Sequence, residues 1–360
     1  MNQIKIMLEF LRSAVLDKTP DISDTSSINW DILMDLSSEQ GVLAWVWDGI
    51  CKLPVAQQPP RQQRINWGLS VQEVWDNYRK HVDVLNKMIS LCNDNHMSLL
   101  LLKGLGLSKL YPKPQSRPCG DIDIYLFDDY YKGNRVFTGH DVERIDKHAT
   151  FYFNNILIEN HYYFLEPNTR QMRMINKYLE STLNEVCLSD SGYYVFSPIA
   201  NFVFLTMHTL KHFRETKVVP YRNIMDFGMY LFCNRTILSP SMCYEVLSKL
   251  KLVKGCEMLV YLSEMILSVD LREYHFNQIP VEDVNTIKES YLIENYFDPQ
   301  DKNSNANLKK QYRCIWRYVP RYLSYFVIVR AKLSILIRHL LKIPSTTSII
   351  PWVYNKLFRK

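Results

Sequence analysis

Glycine is scarce in this chain, at 11 of 360 residues. Two phosphate-binding signatures built on glycine are missing. There is no GxxxxGK[ST] loop, and Gly104-x-Gly106 is followed by Lys109 where a dinucleotide fingerprint needs a third glycine. P-loop NTPase and nicotinamide dehydrogenase readings are therefore excluded. The eight cysteines (51, 92, 119, 187, 233, 243, 256 and 314) come no closer together than ten positions. Without a CxxC pair, a structural zinc site of ordinary spacing is excluded. A chain with a full core needs no disulfides, so these residues read as buried thiols in a reducing cytoplasm. Long apolar runs are absent too. Residues 322–329 are free of charge before Arg330 interrupts, whereas a membrane span needs ~20 mostly apolar residues. Residues 1–16 read as an amphipathic helix with Glu9 in its middle, not as a signal peptide. Neither a GxSxG elbow nor a cysteine-nucleophile signature is present.

Acidic residues are nearly missing from the C-terminal end. Residues 301–360 carry 13 Lys/Arg and one acid, Asp301, while the preceding 300 hold 30 basic and 36 acidic side chains. An acidic body with a basic tail points to an anionic contact for the tail: phosphate, nucleic acid or a membrane surface. Arg313, Arg317 and Arg321 recur every four residues with Trp316, Tyr318 and Tyr322 among them, although Pro320 breaks the helix. The simpler reading is a solvated helix face laid over the acidic body.

What remains is ordinary globular composition, 47% hydrophobic and 22% charged. At ~100–200 residues per domain the length allows two or three domains. Apolar residues at spacings of three and four mark helices up to about residue 95, as in Val74, Tyr78, Val82, Leu85 and Met88. Residues 97–102 read as a buried strand, 105–111 as a short helix, and 121–127 as a second strand. Residues 149–153 and 156–164 flank Asn154-Asn155, a pair that tolerates positive φ, and so predict a β-hairpin. Helical spacing returns after Pro198. The expected fold class is α+β: a small mixed sheet over 96–197, between an N-terminal helical segment (1–95) and a C-terminal helical domain with its basic tail (198–360).

Within that sheet, Asp121 and Asp123 lie two apart on an alternating strand, which puts both carboxylates on one face and Ile122 and Ile124 on the other. Neighbouring carboxylates raise each other's pKa and call for a positive partner; a solvated acidic face is the plainer explanation. A pair of Mg²⁺ ions, which take carboxylate and phosphate oxygens together, would supply that charge. Glu159 shares a face with Leu157, His161 and Tyr163 on the hairpin strand, alone among apolar neighbours. If its strand pairs beside that of Asp121, three acids meet; otherwise it faces water at an edge. Lys103-Gly104 ends the first strand and opens the next helix, where a backbone close to phosphate and a point charge would help hold an anion. For Lys103, reaching a ligand is preferred to a structural ion pair with Asp121 or Asp123. Arg117 is open between a surface role, an ion pair with those aspartates and a triphosphate contact. His208 and His212, four apart, could share a metal but more often pack at a helix interface. His148 precedes the hairpin, in a capping or surface role or within reach of phosphate.

The stretch LLLKGLGLSKLYPKPQSRPCGDIDIYL (100–126) resembles the uncharacterised nucleotidyltransferase family of bacteria, within the polymerase β-like superfamily. The matching residues are Lys103-Gly104, Tyr111-Pro112, Arg117, Asp121-Ile122-Asp123 and Glu159-Asn160-His161; HTLKH (His208, His212) and the stretch from Arg222 to Asp226 are similar more loosely. The resemblance implies a metal-dependent enzyme that transfers a nucleoside monophosphate from a nucleoside triphosphate. Asp121, Asp123 and Glu159 would be catalytic and hold two Mg²⁺, with Mn²⁺ as the alternative, and Lys103, Gly104, Arg117 and His161 would bind the nucleotide. It further implies an unspecified acceptor (sugar, glycan or protein) in surface-polysaccharide metabolism; the cysteines separately point to a cytoplasmic protein, and the basic tail to a peripheral contact with a membrane or nucleic acid. The alternative is a non-catalytic nucleotide- or partner-binding module of the same fold. Asp123→Asn is expected to leave the fold intact or slightly more stable, because it removes a repulsive charge.

Overall fold

The structure, a computed structural model, describes residues 2–22, 24–145, 147–215, 219–292, Cys314 and 317–319. Helices α1 (Gln3–Val15), α2 (Trp30–Glu39), α3 (Leu43–Ile50) and the long α4 (Arg61–Asp94) open the chain. Asn2 caps α1 by accepting from the Lys5 amide. The helix is buried on most sides (Ile4, Ile6, Met7, Leu8, Phe10, Leu11) because it packs between α3 and a helix from the far end of the chain. Gly49 makes the α1–α3 approach possible: a Cβ there would sit 2.1 Å from the Phe10 carbonyl oxygen.

A seven-stranded mixed sheet follows: β1 (Leu100–Leu101), β2 (Asp121–Tyr125), β3 (Arg144–Ile145), β4 (His148–Phe153), β5 (Ile156–His161), β6 (Cys187–Leu188) and β7 (Tyr194–Val195), in the order β3-β4-β5-β2-β1-β7-β6. The α+β expectation holds. The predicted hairpin is β4–β5, turning through Asn154 and Asn155 at φ 48° and 64°. Of the four two-residue strands, β3, β6 and β7 are not visible in the periodicity. Helix α5 (Tyr130–Thr138) links β2 to the strands that follow, and α6 (Arg170–Ser181) precedes β6. The short helix expected over 105–111 forms as a 3₁₀ stretch, Gly104–Leu110. The C-terminal helices are α7 (Pro198–Glu215), α8 (Tyr221–Asn234), α9 (Pro240–Leu250), α10 (Val253–Leu267) and α11 (Val281–Ser290).

Two apolar cores divide the molecule. One lies behind the sheet, where Ile122, Ile124, Phe151 and Ile158 meet Leu85, Met88 and Cys92 of α4. The other joins N- and C-terminal helices, with Phe10, Trp45, Phe202, Phe227 and Leu259 in one cluster. The front of the sheet faces α7 and α8 across a cleft. Among the described residues no helix is long and apolar enough to cross a membrane. Five cysteines are buried, but Cys51, Cys187 and Cys233 are exposed, correcting the expectation that all eight are buried; none is bridged. Most of the basic tail, including Arg313 and Arg321, lies outside the described residues. Arg317 pairs with Asp283 of α11 at 3.2 Å.

Candidate active site

Register decides the site. Strands β2 and β5 run parallel with Asp121 beside Leu157, Asp123 beside Glu159 and Tyr125 beside His161. The odd-numbered residues of both strands therefore share the front face, and the even-numbered Ile122, Ile124 and Ile158 anchor that face from behind. Asn160, also behind, donates to the Tyr130 carbonyl and to Asn134, tying α5 to the back. One oxygen each from Asp121, Asp123 and Glu159 lies within 4.8 Å of the other two. The three acids that the sequence reading set side by side are brought together.

Asp123 is the deepest of them. Its Oδ1 lies 3.0 Å from His161 Nε2 and its Oδ2 3.0 Å from Lys103 Nζ. Burial alone would raise its pKa, but Lys103 and His161 hold it well below the ordinary carboxylate range. Asp121 behaves oppositely: burial, then repulsion from Asp123, raises it. For Glu159, burial pushes upward and the hydrogen bond from His161 wins, leaving the group below its ordinary value. Burial pushes the Lys103 ammonium down, and Asp123 and Asp121 more than reverse that. Lys103 thus has the ion-pair partner that the sequence reading placed second to a ligand. The expected sign for Asp123→Asn also reverses. Asp123 is compensated, not repelled, so its removal strands Lys103 and His161.

Gly104 takes φ 61°, the left-handed region, as it turns from β1 into the 3₁₀ stretch. Lys103, Gly104 and Asp121 line a cleft of about 160 Å³, closed by His208 and His212 of α7 and Arg222 of α8. The two imidazoles face each other, Nε2 to Nε2 at 3.1 Å. Burial, helped by the charge of Lys103, holds His208 well below its ordinary range and His212 down to about 4. Arg222 is half-buried, yet no carboxylate among the described residues lies within ion-pair reach of its guanidinium, whose Nε donates to Asn223 Oδ1 at 3.5 Å.

Arg117 also borders the cleft, but it is buried and neither at the surface nor paired with Asp121 or Asp123. Its Nε and Nη2 donate to the two carboxylate oxygens of Asp226 on α8, at 3.0 and 2.7 Å. Tyr111 Oη donates to the same Asp226 at 2.8 Å. Its fork is thereby committed to holding the loop before β2 against α8. His148 lies neither in a cap nor free at the surface: its Nε2 is 3.5 Å from Glu159, and burial lowers its pKa to about 4. Lys147, whose Nζ is 3.9 Å from Glu159, escaped the sequence reading. Its only sequence cue was its place one residue before β4, the strand that pairs with Glu159's own.

The donor set suits a hard divalent cation. Three carboxylates converge, and Asp123 Oδ2 is buried without a well-directed hydrogen bond, its close neighbour being the Lys103 ammonium. A family model described as an uncharacterised nucleotidyltransferase matches residues 26–266. The match takes in the sheet, both walls of the cleft and most of the helices. No curated protein and no solved structure matches the chain.

Proposed function

Because the chain belongs to the uncharacterised nucleotidyltransferase family, we propose that it transfers a nucleoside monophosphate from a nucleoside triphosphate to an acceptor, with divalent metal held by Asp121, Asp123 and Glu159. The observation that carries this reading is the register that sets Asp123 beside Glu159, with Asp121 on the same face. Bound Mg²⁺ or Mn²⁺ would neutralise the phosphates and polarise the phosphorus under attack.

The chain's own residues do the rest by position and charge. Gly104, lacking a side chain, lets the backbone approach the phosphates, and Lys103 exchanges its contact with Asp123 for one with the departing pyrophosphate. Arg222, a half-buried cation with no carboxylate partner among the described residues, extends the positive wall of the cleft. Arg117 is a positioning residue, since Asp226 takes its Nε and Nη2 donors and the Pro118 carbonyl its Nη1. His161 steadies Asp123 and Glu159 from beneath and so serves the nucleotide indirectly. The acceptor is a hydroxyl of a sugar, glycan or protein, and surface-polysaccharide metabolism is the setting the family resemblance suggests.

The test uses the full chain, each of the four α-labelled nucleoside triphosphates and Mg²⁺. Pyrophosphate release that requires the metal and falls by at least about 10²-fold in Asp123→Asn is expected. Retained turnover in that variant overturns the mechanism. Metal-dependent binding of a non-hydrolysable triphosphate without any transfer would favour the binding-module alternative.

A further inference from the structure

His148 and His161 stand directly opposite each other on β4 and β5, and Glu159 faces Thr150 two residues along the same face. Each imidazole addresses a different oxygen of Glu159 at 3.5 Å, His148 reaching Oε1 and His161 reaching Oε2. One ligand atom from each of the three residues lies within 4.8 Å of the other two.

The tautomer of His161 sharpens this. Its Nδ1 lies 3.1 Å from the Tyr163 carbonyl oxygen, which can only accept, so Nδ1 carries the proton. In the neutral ring Nε2 is then a bare lone pair, yet it faces Asp123 Oδ1 at 3.0 Å and Glu159 Oε2 at 3.5 Å. A metal ion within reach of that nitrogen would meet ring nitrogen and carboxylate oxygen together. His148 points the same way independently. Its Nδ1 is buried without a hydrogen-bond partner among the described residues, and its Nε2 contact to Glu159 is long for a hydrogen bond.

We propose that His148, Glu159 and His161 form a second, mixed nitrogen-and-oxygen metal site that shares Glu159 with the carboxylate group and selects a first-row transition-metal ion such as Mn²⁺ over Mg²⁺. This rests on the metal-dependent reading above and names the ligands of its second ion. Imidazole nitrogen suits transition-metal ions, whereas Mg²⁺ keeps to oxygen and water. The bond from Nδ1–H to a backbone carbonyl is the outer contact that aims a metal-binding imidazole. Lys147, 3.9 Å from Glu159, is the internal cation such an ion would displace.

The experiment titrates Mn²⁺ into the full chain without nucleotide and records electron spin echo envelope modulation of the bound ion. Nitrogen modulation is expected, and growth on ¹⁵N-histidine should convert it from the ¹⁴N to the ¹⁵N pattern without any substitution. His148→Gln, checked for folding by its melting curve, should reduce the modulation and weaken Mn²⁺ binding by at least about tenfold, with Mg²⁺ binding unchanged. Mn²⁺ bound without nitrogen modulation overturns this site and leaves the carboxylate reading standing. Modulation unaltered in His148→Gln overturns the three-ligand site as well, leaving the nitrogen to His161 or to His208 and His212. Failure to bind either ion removes both readings.

Discussion

At the scale of single residues, the ion pair of Lys103 competes with the phosphate contact proposed for it. Its ammonium meets Asp123 at 3.0 Å where Asp123 is fully buried and Lys103 only 16% exposed. Removing one partner of a buried pair usually costs ~3–5 kcal/mol, because the other charge is left uncompensated. Lys103→Met keeps most of the stem and deletes the charge. In chelator its stability should fall by roughly that amount. Added Mg²⁺ should then restore more of the melting temperature in the variant than wild type gains, since the ion replaces the missing positive charge. Triphosphate affinity should also fall, by about 1–3 kcal/mol for one lost charge-assisted contact. Melting curves with and without metal check the first pair of outcomes and calorimetry the last. An unchanged melting temperature in chelator would show that Asp123 needs no lysine to stay buried.

Among the elements, β2 and the hairpin were legible because their information is local. Alternation at Asp121-Ile122-Asp123-Ile124 sorts the carboxylates to one face, Asn154-Asn155 sets the turn, and parity then carries Glu159 to the same side. What was not legible depends on partners far along the chain. The two-residue strands β6 and β7 have no period to read, and β7 exists through its pairing with β1. Asp226 lies 109 positions from the arginine it holds, and no local pattern announces such a contact. Helix α7 stands between the two cases. The spacing of His208 and His212 was plain in the sequence, and their burial was not. With His212 near 4 in the folded chain and about 6.5 unfolded, the unfolded state binds the extra proton between those values. Stability is therefore complete above about pH 6.5 and declines as pH falls toward 4. Denaturant titrations in chelator across that range should show the decline, and His212→Gln should flatten it by up to about 1.4 kcal/mol per pH unit. A slope identical in wild type and variant would mean that His212 is accessible to protons in the folded state.

For the whole molecule, the question is what keeps the sheet and the C-terminal helices at the spacing that makes a cleft. The three acids sit on β2 and β5, whereas His208, His212 and Arg222 come from α7 and α8. A buried cluster crosses between them: Asp226 of α8 receives both Arg117 donors and the Tyr111 hydroxyl from the loop that leads into β2. Burial would lower the Arg117 pKa, yet Asp226 raises it, so the arginine is charged and satisfied only while α8 stays in place. Asp226→Asn nearly preserves shape and removes the charge. It should cost ~3–5 kcal/mol, the range for a buried ion left alone. Replacing both partners, Arg117→Met with Asp226→Leu, should cost much less than Asp226→Asn, because buried ion pairs are often no better than apolar contacts of similar volume. Transfer activity separates stability from function. If the pair positions the cleft, the double variant should regain the melting temperature and still lose transfer activity, since an apolar contact lacks the directional fork that fixes the loop against α8. Full activity in the stable double variant would show that packing alone sets the cleft and that the charge pair is dispensable.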